Sequence, residues 1–213
     1  RQGTLKLLIS FILIGSFFVL PDYSNAKILI SKIQIAGVST TDEFVELYNY
    51  SSSSASILDW DLRKQTASGS QSYLISSFPT SAMLSPFGYL LIAHRDYSPI
   101  QNTNADLQYS NNSVSLAADN SLLLFDAANN LIDEVNWGAV SSTGAPAANP
   151  GAIISLVRLP NTSEGNYLDT DVGLTDFITL DSLPYNSLSP TRPQIIDSPT
   201  TTANPPPPPP SGD

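Results

Sequence analysis

The chain has 213 residues, of which 41% are hydrophobic and 13% are charged, so it can support one hydrophobic core and hardly two. Its formal net charge is −10 and its nine Lys and Arg residues are scattered, which argues against direct, charge-driven binding to a nucleic-acid backbone. It contains no cysteine, which excludes disulfides, thiol chemistry and thiolate metal sites.

The first 26 residues have the pattern of an export signal peptide. Arg1 and Lys6 give a positive start, residues 7–20 form an apolar run, and Ser24-Asn25-Ala26 is a small-x-small cleavage site. The alternative is an uncleaved membrane anchor, but the run is short for a bilayer core, which needs about 20 apolar residues. We therefore predict cleavage after Ala26. The mature protein is then secreted, or lies at the cell surface or in the periplasm, and touches a membrane only through the transient signal.

From residue 27 onward, short apolar or alternating runs predict β-strands. In the first run, residues 28–35, alternation predicts one buried and one solvated face, with Lys32 and Gln34 on the solvated face. The predicted first strand is therefore half exposed.

The second predicted strand covers residues 42–49, with Val45 and Leu47 on one face. Glu43 and Glu46 are expected at an edge or in water. Glu46 has two interpretations: a ligand-binding residue at a loop edge, or a structural carboxylate that accepts hydrogen bonds from a neighbouring loop or is simply solvated. The structural interpretation is favoured.

The remaining elements are also short. Residues 57–62 lead into a third predicted strand. Further strands are predicted at 72–75, 89–93, 113–116, 121–125, 131–137 and 153–159, with a closing strand at 177–180. Residues 95–112 are predicted to form a long loop. Because no sustained helical periodicity occurs between residues 27 and 180, the fold class is all-β, and the uneven loop lengths favour a β-sandwich over a closed barrel.

The end of the chain is rich in proline, with six consecutive prolines at 205–210. Polyproline II rises about 3.1 Å per residue, so this part is expected to act as a semi-rigid spacer. We predict three segments: a signal peptide at 1–26, a β-sandwich domain at 27–180, and a Pro-rich disordered linker or tail at 181–213.

Several short motifs follow one another in a fixed order. After the Ile-rich first strand come Asp-Glu-Phe-Val-Glu-Leu-Tyr-Asn at 42–49, Asp-Trp-Asp-Leu at 59–62, Gly-Tyr-Leu-Leu-Ile-Ala at 88–93, Ser-Leu-Leu-Leu-Phe-Asp-Ala at 121–127 and Leu-Ile-Asp-Glu-Val-Asn-Trp-Gly at 131–138. Because these motifs occur in this order, the chain resembles the lamin-tail domain (LTD) of exported prokaryotic proteins. The resemblance covers residues 28–138 best and extends to 176–177. It implies an immunoglobulin-like β-sandwich without a catalytic site.

The resemblance suggests two functions. The leading hypothesis is a non-catalytic exported module that binds a protein, a glycan or a surface polymer and positions an attached domain. Relatives in prokaryotes are often joined to secreted hydrolases or surface anchors. The alternative is therefore an N-terminal accessory domain of a longer secreted hydrolase, for example a nuclease, whose catalytic domain lies outside this chain. Neither hypothesis includes a catalytic or cofactor-binding residue in this chain.

His94 is the only histidine, and it has a catalytic and a structural interpretation. The His94-Arg95-Asp96 run matches the kinase catalytic loop by chance, since Gln101 stands where that motif has Asn. No Gly-x-Ser-x-Gly elbow accompanies it, so a hydrolase triad is not supported. We predict that His94 is a surface residue at the end of a strand.

Three carboxylates near the end of the predicted domain could bind calcium. Asp169, Asp171 and Asp176 are closely spaced, and calcium prefers hard oxygen ligands. The spacing fails the helix-loop pattern, because the twelfth position is Leu180 and not Glu. An acidic turn is the alternative.

Two further groups have a functional and a structural interpretation. Trp60 and Trp137 could stack on carbohydrate, but tryptophan in a small sandwich is most often part of the core. Asn49, Asn111 and Asn161 begin Asn-x-Ser sequons, which matter only if the host glycosylates exported proteins.

Overall fold

A computed structural model describes residues 28–99, 101–109, 115–140, 144–161 and 166–191. The predicted signal peptide, the sequon at Asn111 and the proline run at 205–210 lie outside the described residues. Within the described ranges, no helix has the length and apolar character needed to cross a membrane.

The regular secondary structure of the described residues consists almost entirely of β-strands. In chain order these are β1 (Ile28–Gln34), β2 (Phe44–Asn49), β3 (Ala55–Ser56), β4 (Asp61–Thr66), β5 (Gln71–Ile75), β6 (Met83–Leu84), β7 (Tyr89–His94), β8 (Leu107–Tyr109), β9 (Asn120–Phe125), β10 (Leu131–Asn136), β11 (Ser155–Arg158), β12 (Pro160–Asn161), β13 (Asn166–Tyr167) and β14 (Phe177–Leu180), with one helical turn, α1 (Gly173–Asp176), before β14. One sheet has the order β14-β11-β1-β2-β7-β8 and a second has the order β10-β9-β4-β5. In these two sheets all pairs are antiparallel except β7 with β8. β3 with β6 and β12 with β13 form small two-stranded sheets.

The two large sheets enclose one apolar core. Because side chains alternate across a pleated strand, Val45 and Leu47 of β2 point inward, into the same cluster as Leu62 and Leu124 of the other sheet. Trp137 is fully buried in this cluster. The predicted all-β sandwich is confirmed.

The outer face of the six-stranded sheet is buried as well, which corrects the solvated face predicted for β1. Lys32 and Gln34 on that strand are each only 2% exposed. Two further apolar clusters lie on the sheet, one around Tyr48 and one around Phe44. The residues that cover this face come from the loop after β7, from β13 and from the chain after β14. Strand alternation alone therefore could not reveal the covering.

Residues 181–189, called the strap below, cross this outer face. Lys32 Nζ donates a hydrogen bond of 2.6 Å to the carbonyl of Leu183, and Ser187 N donates one of 2.9 Å to Asp106 Oδ2. The packed domain therefore continues past the predicted boundary at residue 180. The segment packs because the main-chain groups of Leu183 and Tyr185 find buried partners, Lys32 and Glu46, on the sheet.

Two other predicted elements are corrected. The predicted loop at 95–112 contains β8, which gives no hairpin signal because it is three residues long and pairs in parallel with β7. The predicted strand at 113–116 is absent at residues 115 and 116, which are described. There Leu116 N instead donates a hydrogen bond of 2.8 Å to the Glu43 carboxylate.

Candidate functional site

A groove opens at one end of the sandwich, where four segments of the chain meet. These are the turn after β1, the loop after β7, the turn before β11 and the start of the strap. The cavity has a volume of about 380 Å³, within the range of roughly 300–1,000 Å³ typical of ligand sites. It is therefore large enough to receive side chains of a partner.

Exposed aliphatic side chains form the rim of the groove. Val38, at the tip of the turn after β1, is 98% exposed, while Ile153 is 54% and Leu183 39% exposed. Such side chains add little to folding, because they remove little apolar surface from water. Their grouping around one cavity is typical of an interaction surface.

The turn that carries Val38 is held in place by Asp42. The Asp42 carboxylate accepts hydrogen bonds from Ser39 N at 2.6 Å and from Ser98 N at 3.0 Å, so it joins the turn to the loop after β7. Gly37 packs so closely that a Cβ added there would lie 2.5 Å from the Cβ of Asp42. Val38 is thus presented to solvent on a fixed backbone.

Ile153 has a backbone conformation that β-branched residues rarely adopt. Its φ angle is 59°, in the left-handed region. Its N–H donates a hydrogen bond of 2.9 Å to the carbonyl of Ala36, which ties the turn before β11 to the end of β1. Strain of this kind persists only where the surroundings enforce it, and it is concentrated at ligand-binding sites.

The charged residues of the groove are all acidic. Among the described residues, Asp42 and Asp181 line it, and no Lys, Arg, His or aromatic residue does. Asp42 is buried and both of its carboxylate oxygens accept backbone N–H groups. Asp181 is exposed and forms no ion pair with another described residue. Asp181 is therefore the carboxylate that can meet a ligand.

A buried ion pair fixes the strap, which supplies one wall of the groove. The fully buried Glu46 accepts hydrogen bonds from Lys32 Nζ at 3.0 Å, from Ser31 Oγ at 2.7 Å and from Tyr185 N at 2.6 Å. The favoured interpretation of Glu46, a structural carboxylate that a neighbouring segment hydrogen-bonds, is confirmed. The expectation that it reaches an edge or water is wrong, because the strap covers it.

His94 ends β7 as predicted, but it is buried and not on the surface. Its ring packs edge-on against Tyr109, with centroids 5.5 Å apart, and its Nδ1 accepts a hydrogen bond of 3.1 Å from Asp96 N. β8 covers the ring, and no strand is predicted there from the sequence. These contacts are those of a packing residue and not of a general base.

Glu43 is also buried, and not at an edge as expected. It accepts hydrogen bonds from the Tyr109 hydroxyl at 2.6 Å and from Leu116 N at 2.8 Å. Burial raises the pKa of Glu43, although the two hydrogen bonds and the charges of His94 and Lys64 act in the opposite direction. Burial, followed by the Glu43 charge, raises the pKa of Tyr109. The pair joins β2 to β8 and to the segment that follows β8.

Two of the three carboxylates predicted as possible calcium ligands, Asp169 and Asp176, lie beside the buried Arg158. Arg158 Nη1 lies 3.0 Å from Asp169 Oδ1 and 3.8 Å from Asp176 Oδ2, and Arg158 Nη2 donates to both oxygens of Asp133. Asp171 is exposed and joins neither contact. In the part of the chain that the structure describes, no three or more His, Cys, Asp or Glu residues are grouped to hold a metal ion. The arrangement fits an acidic turn organised by arginine.

The two tryptophans belong to the core, as predicted. Trp137 is fully buried and its Nε1 donates a hydrogen bond of 2.8 Å to the carbonyl of Ala117, while Trp60 packs partly buried against the core. Of the sequon residues, Asn49 is buried and its side-chain amide donates to the carbonyls of Ser53, Leu84 and Ser85, so it is inaccessible to glycosylation in the folded state. Asn161 lies in β12 and is partly exposed.

The groove is not apparent from the sequence, because its residues come from four separate segments. The only local signal is the run Gly37-Val38-Ser39, which puts one aliphatic residue into an otherwise polar turn. Whether such a residue is buried depends on packing that only the structure shows.

Comparison with known proteins identifies the family. The family model for the Lamin Tail Domain matches residues 21–139, more than half of the chain. A crystal structure of a DUF4876 family protein from Bacteroides thetaiotaomicron is similar with a TM-score of 0.51 and 13% sequence identity, covering 76% of this chain and 72% of that chain. At this identity the similarity concerns the fold alone. No curated protein sequence matches the chain. The fold is an immunoglobulin-like β-sandwich, and the chain belongs to the Lamin Tail Domain family, a family of non-catalytic domains.

Proposed function

We propose that this protein is a non-catalytic, exported binding module that tethers the polypeptide following its strap. Its groove holds a segment of a partner polypeptide. The observation that carries the proposal is the rim of exposed aliphatic side chains, Val38 and Ile153, presented on turns that hydrogen bonds hold in place.

The groove suits binding and not catalysis. General acid–base chemistry needs a titratable group within reach of a bound molecule, and usually a second group beside it. In the described lining, Asp42 uses both carboxylate oxygens to accept backbone N–H groups, which leaves Asp181 alone. The buried groups Glu43 and His94 are enclosed by β8 and do not line the groove.

The strap connects the groove to the opposite edge of the sheet. Its first residues, 181–183, form one wall of the groove. It then passes over β1 and β2 and reaches Asp106, which precedes the edge strand β8. A partner in the groove and a polypeptide downstream of the strap are therefore attached to the same rigid sheet. This geometry fixes the point at which the chain leaves the sheet relative to the bound partner.

The proposal can be tested with a fluorescent protein fused after residue 213. The fusion is added to washed cells of the organism that encodes the chain, and the retained fluorescence is measured against concentration. We expect saturable retention, reduced at least tenfold by the double variant Val38→Ser/Ile153→Gly. Leu188→Ser is the matched control, because Leu188 is 91% exposed but lies outside the groove.

Two results would contradict the proposal. One is a fusion that is not retained above the level of the free fluorescent protein. The other is retention that the groove variant and the Leu188→Ser control reduce equally, which would place the binding surface elsewhere.

A further inference from the structure

Resting on the proposed function, we propose that the occupant of the groove is a basic, aliphatic segment of the partner polypeptide. A Lys or Arg side chain of that segment lies beside Asp181, and an aliphatic side chain lies between Val38 and Ile153. The charge and the shape of the groove each support this assignment.

Charge complementarity points to a cationic occupant. The chain has a formal net charge of −10, and the charged residues of the described lining are both aspartates. Opposite charges increase the rate of encounter and suppress partners of like charge. Since Asp181 is exposed and forms no ion pair with another described residue, a ligand cation need not displace an internal partner.

The rim selects for aliphatic side chains. Val38 and Ile153 expose branched aliphatic groups, and Leu183 and Pro99 add to the apolar lining. An aliphatic side chain placed there removes its own surface and that of the rim from water, which favours binding in proportion to the area buried. The rim is already ordered, so binding need not fix the two turns.

Other classes of ligand fit less well. A nucleic acid or an anionic lipid surface would meet carboxylates and no cation in the described lining. A glycan would meet no aromatic ring among the described residues that line the groove, and Asp42 is already occupied by N–H donors. A basic, aliphatic peptide can place its cation beside Asp181 and its aliphatic side chain against Val38 and Ile153.

The test selects peptides from a library of random dodecapeptides displayed on phage, using the full chain as bait. After selection, enriched peptides are synthesised with a fluorescent label and their Kd is measured by anisotropy. We expect enrichment of peptides that combine Lys or Arg with Val, Ile or Leu. We also expect their binding to weaken several-fold between 50 and about 300 mM NaCl, because salt screens the exposed Asp181.

Matched variants assign the two interactions separately. Val38→Ser should raise the Kd of the selected peptides at least tenfold, whereas Leu188→Ser leaves it unchanged. Asp181→Asn should raise the Kd at least fivefold, whereas Asp171→Asn, at an exposed carboxylate outside the groove, leaves it unchanged. A circular-dichroism melt of each variant shows whether its fold is intact.

Each other outcome would overturn the assignment. Examples are no enrichment, enriched peptides that are acidic or lack aliphatic residues, binding that Val38→Ser leaves unchanged, or capture of glycans on an array in place of peptides. Such a result leaves the tethering function standing if the cell-retention experiment still depends on the groove. If retention is independent of the groove, the tethering proposal fails as well.

Discussion

The main-chain N–H of Tyr185 donates a hydrogen bond of 2.6 Å to Oε2 of Glu46, although the two residues are 139 positions apart. The same oxygen lies 3.0 Å from Lys32 Nζ, and both charged side chains are almost completely buried. This carboxylate is therefore the point at which the strap is fastened to the six-stranded sheet. The groove wall at Leu183 depends on it, since Lys32 also donates to the Leu183 carbonyl.

We expect Glu46→Gln to lower the free energy of unfolding by about 2–4 kcal/mol, because it leaves the charge of Lys32 buried without a counter-ion. Urea unfolding at pH 7 measures the change. The double variant Lys32→Met/Glu46→Gln removes both charges, keeps an amide oxygen that can accept the Tyr185 N–H, and should recover most of the loss. A double variant as unstable as Glu46→Gln would show that the unpaired charge is not the cause.

The second prediction concerns Arg158, whose guanidinium donates more hydrogen bonds than an ammonium group can. It donates to both oxygens of Asp133, to the carbonyls of Ile30 and Leu168, and to Asp169. We expect Arg158→Lys to lower the free energy of unfolding by about 2–4 kcal/mol, since lysine keeps the charge but not the fork of donors.

The matched control is Arg95→Lys. Arg95 is half exposed and pairs with the exposed Asp96 at 3.7 Å, so its replacement should change stability by less than about 1 kcal/mol. Thermal unfolding of both variants in the same buffer measures the difference. Equal losses at the two positions would mean that the buried network around Arg158 adds nothing beyond a surface pair.

The sequence predicts the inner face of the sandwich well and its outer face poorly. Val45 and Leu47 alternate along β2 and lie in the core as expected. Lys32 and Glu46 look like solvated strand residues, because charged side chains normally face water. Their burial depends on a strap 139 to 151 positions along the chain, and local alternation carries no information about such a partner.

The groove is even harder to predict from the sequence, because its features also depend on tertiary contacts. Val38 stands in a turn, where a single aliphatic residue has no predictive weight. The strained φ of Ile153 is set by tertiary contacts such as the hydrogen bond to Ala36, and it does not follow from residue type. Conversely, His94 is predicted from the sequence to be a surface residue, and in the fold it is buried and packed against Tyr109.

Glu43 predicts a specific dependence of stability on pH. Burial raises the pKa of Glu43 in the folded state above its value of about 4.3 in an unfolded chain. The contribution of this group to stability is therefore complete below about pH 4 and is lost as the pH rises through the folded-state pKa. Gln does not titrate, so the melting temperature of Glu43→Gln minus that of the wild type should increase from pH 4 to pH 8.

Calorimetric melts of the two proteins across this range provide the measurement. Subtracting the melting temperature of the wild type from that of the variant cancels the contribution of every other group that titrates alike in both proteins. The changed hydrogen bonds to Tyr109 and Leu116 add an offset that is independent of pH. A difference that stays constant with pH, or that moves in favour of the wild type, would refute the raised pKa.

The last prediction links the strain at Ile153 to binding. A residue with a Cβ in the left-handed region is destabilised by about 1–2 kcal/mol, and glycine relieves this. The added freedom of glycine in the unfolded chain offsets about 0.4–1 kcal/mol of the gain. Because the side chain is more than half exposed, little burial is lost. Ile153→Gly should therefore raise stability by up to about 1 kcal/mol, or about 2 °C in melting temperature.

Ile178→Gly in β14 is the matched control, since Ile178 is 37% exposed and lies in a regular strand, where glycine lowers stability. If Ile153→Gly melts higher than the wild type and also binds the selected peptides more weakly, the isoleucine is kept at this position for binding and at the expense of stability. If Ile153→Gly melts lower, as Ile178→Gly should, the Ile153 side chain stabilises the fold, and its place on the groove rim needs no functional explanation.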